Sequence, residues 1–401
     1  MGLVKKYSFR LIGYLFFLFN SIGLPAPVLY SNLISVVGIK SLLGKKDWKI
    51  LITFFSVTLL YAAVHVYTGV VFSEYIKTFV FMQIMVFTTL VAYNYIKRES
   101  SKMSRLFGEV THLSFVLFLV SILLYFTPLK EFMWLDHDFS IEGKIARYKS
   151  FTYEPSFFAL LMSPIFIYFL LKTIYISFKS NIWKLMMVLI PCIFTLSFGF
   201  FGVIVIAIII FLMVVFLKYK TIHKAFFYSG LLVVLVGGVL LSFDTFLSAR
   251  VNKIMSGEDT SVNGRITESY YLANKIIKEE EKFFGVGLGQ IKIVGEKYIR
   301  QYYAYSKEDW PVVSLPNATA ETLAIYGYLG LLIRLFIPWL LFFKFKVYTN
   351  YFNLFMFLFI FLYQLIGSFV TSSTELILWV FAILPVFKEL DIQPSFKFKL
   401  I

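Results

Sequence analysis

The stretch Tyr153-Glu154-Pro155-Ser156-Phe157-Phe158 sets a carboxylate directly before a proline and an apolar run. Proline is well tolerated at the first position of a helix. Glu154 therefore falls at or beside a helix N-cap, where the dipole favours negative charge. Two roles fit it equally: a plain cap, or a carboxylate held to bind a hydroxyl or take its proton. Seven residues upstream, Arg147 lies in Ala146-Arg147-Tyr148-Lys149. Taken alone, its simpler role is to meet lipid phosphate at a membrane surface. The other is to grip the phosphate of a substrate, for which guanidinium is a planar, bidentate donor.

A second group of such residues lies further on. Asn263-Gly264-Arg265 precedes a stretch in which Ile266, Tyr270, Ala273, Ile276 and Ile277 recur at helical spacing. Asn263 is the expected N-cap, which puts Arg265 in the first turn, where the dipole gives a cation nothing. That conflict hints at a ligand for Arg265. Arg250 and Arg300 are further cationic candidates, and Glu279, Glu280 and Glu281 are expected to face solvent. Phe284-Gly285-Val286-Gly287-Leu288-Gly289 fails the dinucleotide pattern, because Gln290 stands where the third glycine belongs and no strand precedes it. A tight turn with close backbone approach is the better reading. In Leu315-Pro316-Asn317-Ala318-Thr319-Ala320-Glu321, Asn317 and Glu321 share a helix face at i, i+4. A glutamate just inside a membrane span is expensive unless it meets a wet cavity or a partner, so Glu321 is a site candidate.

The elements that must hold these residues are membrane helices. Hydrophobic residues make up 59% of the 401-residue chain and charged residues 15%. Apolar runs recur near 11–27, 28–43, 48–69, 74–96, 106–126, 156–172, 184–198, 202–217, 225–243, 321–343, 351–368 and 374–388. A hydrocarbon core roughly 30 Å thick takes about 20 residues of helix, and helices satisfy every backbone group within one segment. The expectation is an all-α polytopic fold of about twelve spans (range ten to twelve), a single membrane domain over 1–401. Two outer loops leave it, at 127–155 and 244–320, and the longer contains helices.

Charge supports this arrangement. With both termini cytoplasmic, the cytoplasmic segments and the span ends facing them carry 22 Lys/Arg against 4 Asp/Glu, while the two outer loops carry 14 against 15. That is the positive-inside bias. The net charge of +15 is thereby explained by topology, and no nucleic-acid partner is called for. The one cysteine, Cys192, cannot form an internal disulfide. Inside the spans, Glu74 and Lys77 are spaced to pair, Arg334 is placed to snorkel, and His65 and His112 are expected to bond between helices rather than to ligate metal. Glu109 and Glu375 are the remaining charges there. Ser197-Phe198-Gly199 with Gly202 reads as the close-packed turn of a helical hairpin.

In order along the chain, the glutamate–proline–serine before a span, the Ser/Gly hairpin, the Asn-Gly-Arg helix, the glycine turn and the asparagine before Gly327-Tyr328-Leu329-Gly330 resemble the O-antigen polymerase and O-antigen ligase-like membrane proteins of bacterial surface polysaccharide assembly. The resemblance runs from about Arg147 to Gly330. It implies a GT-C-like, lipid-dependent glycosyltransferase in the bacterial cytoplasmic membrane, working on its outer side without cofactor or metal. The implied substrate is an oligosaccharide repeat unit on undecaprenyl diphosphate, and a flippase and a chain-length regulator are the implied partners alongside membrane lipids. Carried over by motif, Arg147 and Arg265 would bind the diphosphate and Glu154 would handle the acceptor. Arg250, Arg300, Asn317 and Glu321 would support binding. Ligase-like members often have a histidine where this chain has Pro316, and an arginine after the hairpin serine where it has Phe198. The first departure favours polymerisation over ligation, and the second puts a phosphate role for the hairpin in doubt. A flippase is the third reading, but it would be expected to have short loops on both sides and a charged central cavity.

Overall fold

The computed structural model describes residues 2–22, 43–138, 144–219, 260–303 and 314–392, together with 24, 29–33, 35, 230 and 256. Arg250 lies outside the described residues, as do most of the expected spans 28–43 and 225–243. The first half contains α1 (Gly2–Phe17), α2 (Lys45–Tyr67), α3 (Phe72–Arg98), α4 (Ser100–Leu124), strands β1 (Trp134–Asp138) and β2 (Lys144–Tyr148), α5 (Pro155–Tyr175), α6 (Phe178–Ile193) and α7 (Phe198–Tyr219). Then come α8 (Thr260–Asn263), α9 (Ser269–Glu279), α10 (Glu296–Tyr303), α11 (Ala318–Lys344), α12 (Tyr351–Tyr363) and α13 (Ser373–Ile383).

The protein is a multi-pass helical membrane protein. Among the described residues, six helices are long and apolar enough to cross a bilayer: α2, α3, α4, α5, α7 and α11. Twelve were expected, and two of those, 28–43 and 225–243, lie mostly outside the described residues. Helices α6, α12 and α13 have 16, 13 and 11 residues, short of the roughly 20 a span needs. The apolar run at 11–27 does not continue as one helix, because α1 ends at Phe17 and Asn20 turns inward to accept the Ser31 amide at 3.1 Å. Of α5's span 94% is buried, against 11% for α2. Helix α5 is therefore central, and α2 is peripheral with its apolar face outward.

The segment 127–155 is not purely helical. β1 and β2 pair antiparallel, with Leu135 opposite Arg147 and Trp134 opposite Tyr148. Trp134 and Tyr148 pack edge-on at 5.4 Å, and Tyr148 is fully buried. The Tyr148 amide donates to the Phe194 carbonyl at 2.8 Å, which docks β2 on the α6–α7 turn. Aromatic pairs across strands favour this pairing.

The described residues form two apolar cores. One joins α1 and α4–α7 with α12 and α13. The other joins α3 to the long loop and the start of α11, through Tyr75, Phe79, Leu272, Ile276, Val286 and Leu323 among others. Burying a side chain such as Ile276 contributes on the order of 1.5–3 kcal/mol, so the amphipathic face of α9 holds the loop down on the membrane helices. Asn263 is not an N-cap: its backbone is helical, and α8 runs through a π-helical turn, Gly264–Glu268, into α9. The Ser269 hydroxyl donates to the Gly264 carbonyl five residues back, which suits that widened turn. The extra residue rotates the face, and Ile266, expected inside, is exposed.

The glycine turn makes the expected close approach. Gly285, Gly287 and Gly289 all have positive φ. Val286 and Gly287 donate to the Ala324 and Ile325 carbonyls at 2.9 and 3.0 Å. Helix α11 is broken there, with Gly327 at φ 68°, ψ −168°. A Cβ on Gly285 would lie 2.3 Å from the Ile325 carbonyl oxygen, and one on Gly327 2.1 Å from that of Phe283. Only glycine fits on either side.

Several buried polar groups differ from expectation. Arg334 does not snorkel: it meets Glu375 at 2.5 Å and donates to Gln364 at 3.2 Å. Glu74 pairs with Lys77 at 3.0 Å as expected, and also with Lys292 of the long loop at 2.5 Å. His65 bonds Tyr75 and the Phe284 carbonyl at 3.1 and 3.0 Å, whereas His112 bonds the Gly108 carbonyl of its own helix. Glu280 does not merely face solvent but pairs with Lys297 at 2.8 Å. A Cβ on Gly202 would meet open space, so this glycine marks no close packing.

Candidate functional site

A pocket opens where four segments meet: the start of α5, the π-helical turn, the entry to α11 and the α12–α13 turn. It is lined by Tyr153, Glu154, Ser156, Phe157, Leu160, Arg265, Pro316, Tyr363, Gly367, Ser368, Phe369 and Ser372. Each segment lies on the side that the charge bias assigns to the exterior. Phe157 and Tyr363 come to the pocket from the first apolar core, and the Arg265 carbonyl is held by Asn317.

Glu154 occupies the N-cap position of α5 with Pro155 after it, in extended backbone (φ −144°, ψ 141°), and its side chain does not cap the helix. The carboxylate instead accepts the Ser156 hydroxyl and lines the pocket. Of the two roles open to this residue, the geometry removes the plain side-chain cap. Arg265 faces it from the π-helical turn. Among the described residues its guanidinium forms no hydrogen bond or ion pair, and Nη1 lies 3.7 Å from where a Gly199 Cβ would stand. Gly199 is in the first turn of α7, whose free amides carry partial positive charge. Arg265 and Glu154 thus line one small space, with the first turn of α7 beside the arginine, so that an anion and a hydroxyl can be held side by side.

The other expected residues are placed differently. Asn317 is fully buried. Its Oδ1 accepts the Thr319 and Ala320 amides at 3.0 Å each, and its Nδ2 donates to the Arg265 and Leu365 carbonyls at 2.6 and 2.5 Å. It joins three walls of the pocket and does not line it. Glu321 accepts from the Ser314 hydroxyl and the Val370 amide, both at 2.5 Å, which ties the α12–α13 turn to α11. Arg147 donates from Nε to the Thr195 carbonyl at 2.9 Å, bracing the turn that carries Gly199. Arg300 pairs with Glu296 at 2.7 Å on α10 and does not line the pocket. Tyr363, Ser368 and Ser372 line it without having been expected. The run Gly367-Ser368-Phe369-Val370-Thr371-Ser372-Ser373-Thr374 between two apolar stretches was the signal that could have found them.

The fold and site define a polytopic helical membrane protein whose long polar loop closes over a two-signed pocket at one face of the helices. Residues 185–335 match the family model described as O-antigen ligase, which supports the family assignment drawn from the motifs. That stretch holds Gly199, Arg265, the glycine turn, Asn317 and Glu321, whereas Arg147, Glu154 and the α12–α13 turn lie outside it. No curated protein matches the chain.

Proposed function

We propose that the protein transfers a glycan from a lipid diphosphate to an acceptor hydroxyl on the outer side of the bacterial cytoplasmic membrane, in the manner of an O-antigen ligase. The observation that carries this reading is the Arg265 guanidinium, unpaired among the described residues, in one pocket with an uncapping Glu154. The diphosphate of an undecaprenyl-linked donor is held by Arg265. The acceptor oxygen attacks the anomeric carbon while the bond from that carbon to the diphosphate oxygen breaks. The electron pair leaves with the diphosphate, and the hydroxyl proton passes to Glu154. Arg265 meets charge that develops as the bond breaks, where electrostatic stabilisation is worth most. Arg147, Asn317 and Glu321 position the walls, and Ser156 orients the Glu154 carboxylate.

The family match favours transfer of a finished glycan to a second acceptor. Polymerisation of repeat units is the second reading. It is favoured by Pro316, which lines the pocket where ligase-like members often carry histidine. Deletion separates the two. Loss of a ligase leaves long glycans on undecaprenyl diphosphate, whereas loss of a polymerase leaves single units. Arg265→Ala and Glu154→Gln, at normal protein levels, are expected to reproduce the deletion profile. Wild-type glycans in both variants would overturn the site, and substrate stranded on the cytoplasmic side would overturn the function in favour of a flippase.

A further inference from the structure

On the far side of Tyr153 lies a second, larger cavity of about 370 Å³, lined by Ser21, Ile22, Pro128, Glu131, Phe132, Lys149, Phe151, Thr152 and Tyr153. That volume lies within the roughly 300–1,000 Å³ of small-molecule sites. Tyr153 lines both cavities, so a ligand bound at Glu154 can continue past the tyrosine. The walls come from the first outer loop and the segment after α1, with no residue from the Arg265 turn or the α12–α13 turn.

Two polar side chains in this cavity, Lys149 and Ser21, lack a partner among the described residues. The half-buried Lys149 amine forms no hydrogen bond or ion pair among the described residues, and the Glu131 carboxylate is exposed to solvent; the neighbouring Lys130 takes Asp136 at 2.7 Å. The Ser21 hydroxyl is buried without a partner. Burial lowers the Lys149 pKa, with Glu131 opposing the shift. A desolvated amine without a partner costs stability, which points to a ligand that supplies one. Phe132 is 63% exposed and Tyr153 50% exposed, and together with Phe151 they offer flat apolar faces beside these groups. One cation and one anion leave the cavity with no net charge, which suits many hydroxyls and no phosphate, since Glu131 would repel one.

We infer that this cavity is a subsite for a sugar residue of the acceptor glycan, one or more residues from the reacting hydroxyl, stacked on Phe132 and Tyr153 and hydrogen-bonded by Lys149, Glu131 and Ser21. It rests on the proposed glycan transfer and adds to it the side from which the acceptor enters: past Tyr153, opposite the diphosphate at Arg265.

The test uses the full-length protein in nanodiscs. The probe is the unsubstituted acceptor oligosaccharide, freed from its lipid by mild acid after extraction from the deletion strain. Wild type is expected to bind it, and Glu131→Gln, Lys149→Met and Phe132→Ala are each expected to weaken binding about tenfold. Arg265→Ala should leave that binding unchanged but weaken inorganic diphosphate. In turnover, the three cavity variants raise the acceptor KM and leave kcat near wild type. Phe132, being largely exposed, can be removed without disturbing either core, so its variant guards against misfolding. Unchanged oligosaccharide binding in all three variants would overturn the subsite. So would loss of co-purifying phospholipid in Lys149→Met with sugar binding intact, which would make the cavity a lipid headgroup site. If the deletion strain accumulates no lipid-linked glycan, it is the proposed function that has failed.

Discussion

Asn317 offers the most direct test of how the pocket is held together. One side chain caps α11 and fastens the Arg265 carbonyl on one side and the Leu365 carbonyl on the other. Asn317→Ala removes a cap worth about 1 kcal/mol and strands two buried carbonyl oxygens at roughly 1–3 kcal/mol each. The expected loss is therefore about 3–7 kcal/mol. Asn317→Asp keeps the shape and the cap but turns two donors into acceptors facing carbonyls, so it should be no better than alanine. The assay is thermal unfolding of the detergent-extracted protein beside the glycan profile of the same strain. Tm should fall by roughly 5 °C or more, and the profile should match the deletion even at temperatures where the protein remains folded. Wild-type Tm and wild-type glycans in Asn317→Ala would refute the claim that this residue joins the pocket walls. An aspartate variant that outperforms alanine would show that the cap matters and the two carbonyl bonds do not.

Arg265→Ala should lower turnover by about 10²–10³-fold, and Arg265→Lys should recover little of it because a point charge lacks the planar fork; initial rates with lipid-linked donor measure both. Gly327→Ala should abolish monodisperse protein on size exclusion, since its Cβ would stand 2.1 Å from a backbone oxygen, whereas Gly202→Ala, in open space, should behave as wild type. Arg334→Met should cost about 3–5 kcal/mol by leaving the Glu375 carboxylate without its cation, and the double variant Arg334→Met, Glu375→Leu should recover most of it, as read by unfolding in matched detergent.

The membrane class and the positions of the chemical groups were legible because they depend on composition and local spacing. Glu154 could be placed at a helix cap from Pro155 alone, and the glycine turn could be read as a close backbone approach. What lay beyond sequence were features set by tertiary partners. The π-helical turn is invisible to a 3.6-residue period, which places Asn263 at a cap and Ile266 in the core. Asn317 and Glu321 carry side chains that suit a substrate, but here they satisfy backbone groups of segments about fifty residues away. Arg334 and Glu375 lie 41 residues apart, and only packing of α11 on α13 reveals them as a pair. Span number is hard to read for a related reason. Apolar runs mark burial, and α12 and α13 are buried in protein at lengths that a lipid-facing helix could not use.

The break in α11 at Gly327 bears on how the protein meets bilayers of different thickness. Above it, residues 318–325 are buried throughout; below it, most of the helix is exposed and apolar. Beyond Arg334, which Glu375 and Gln364 hold, the lower segment can change tilt to match the surrounding lipid, at a fraction of a kcal/mol per ångström of mismatch. The upper segment is held by the glycine turn, Asn317 and Glu321 and does not follow. The joint isolates the seat of the reaction from the mechanics of the membrane, so chain elongation of the surrounding lipids should alter the inclination of this helix and leave turnover unchanged.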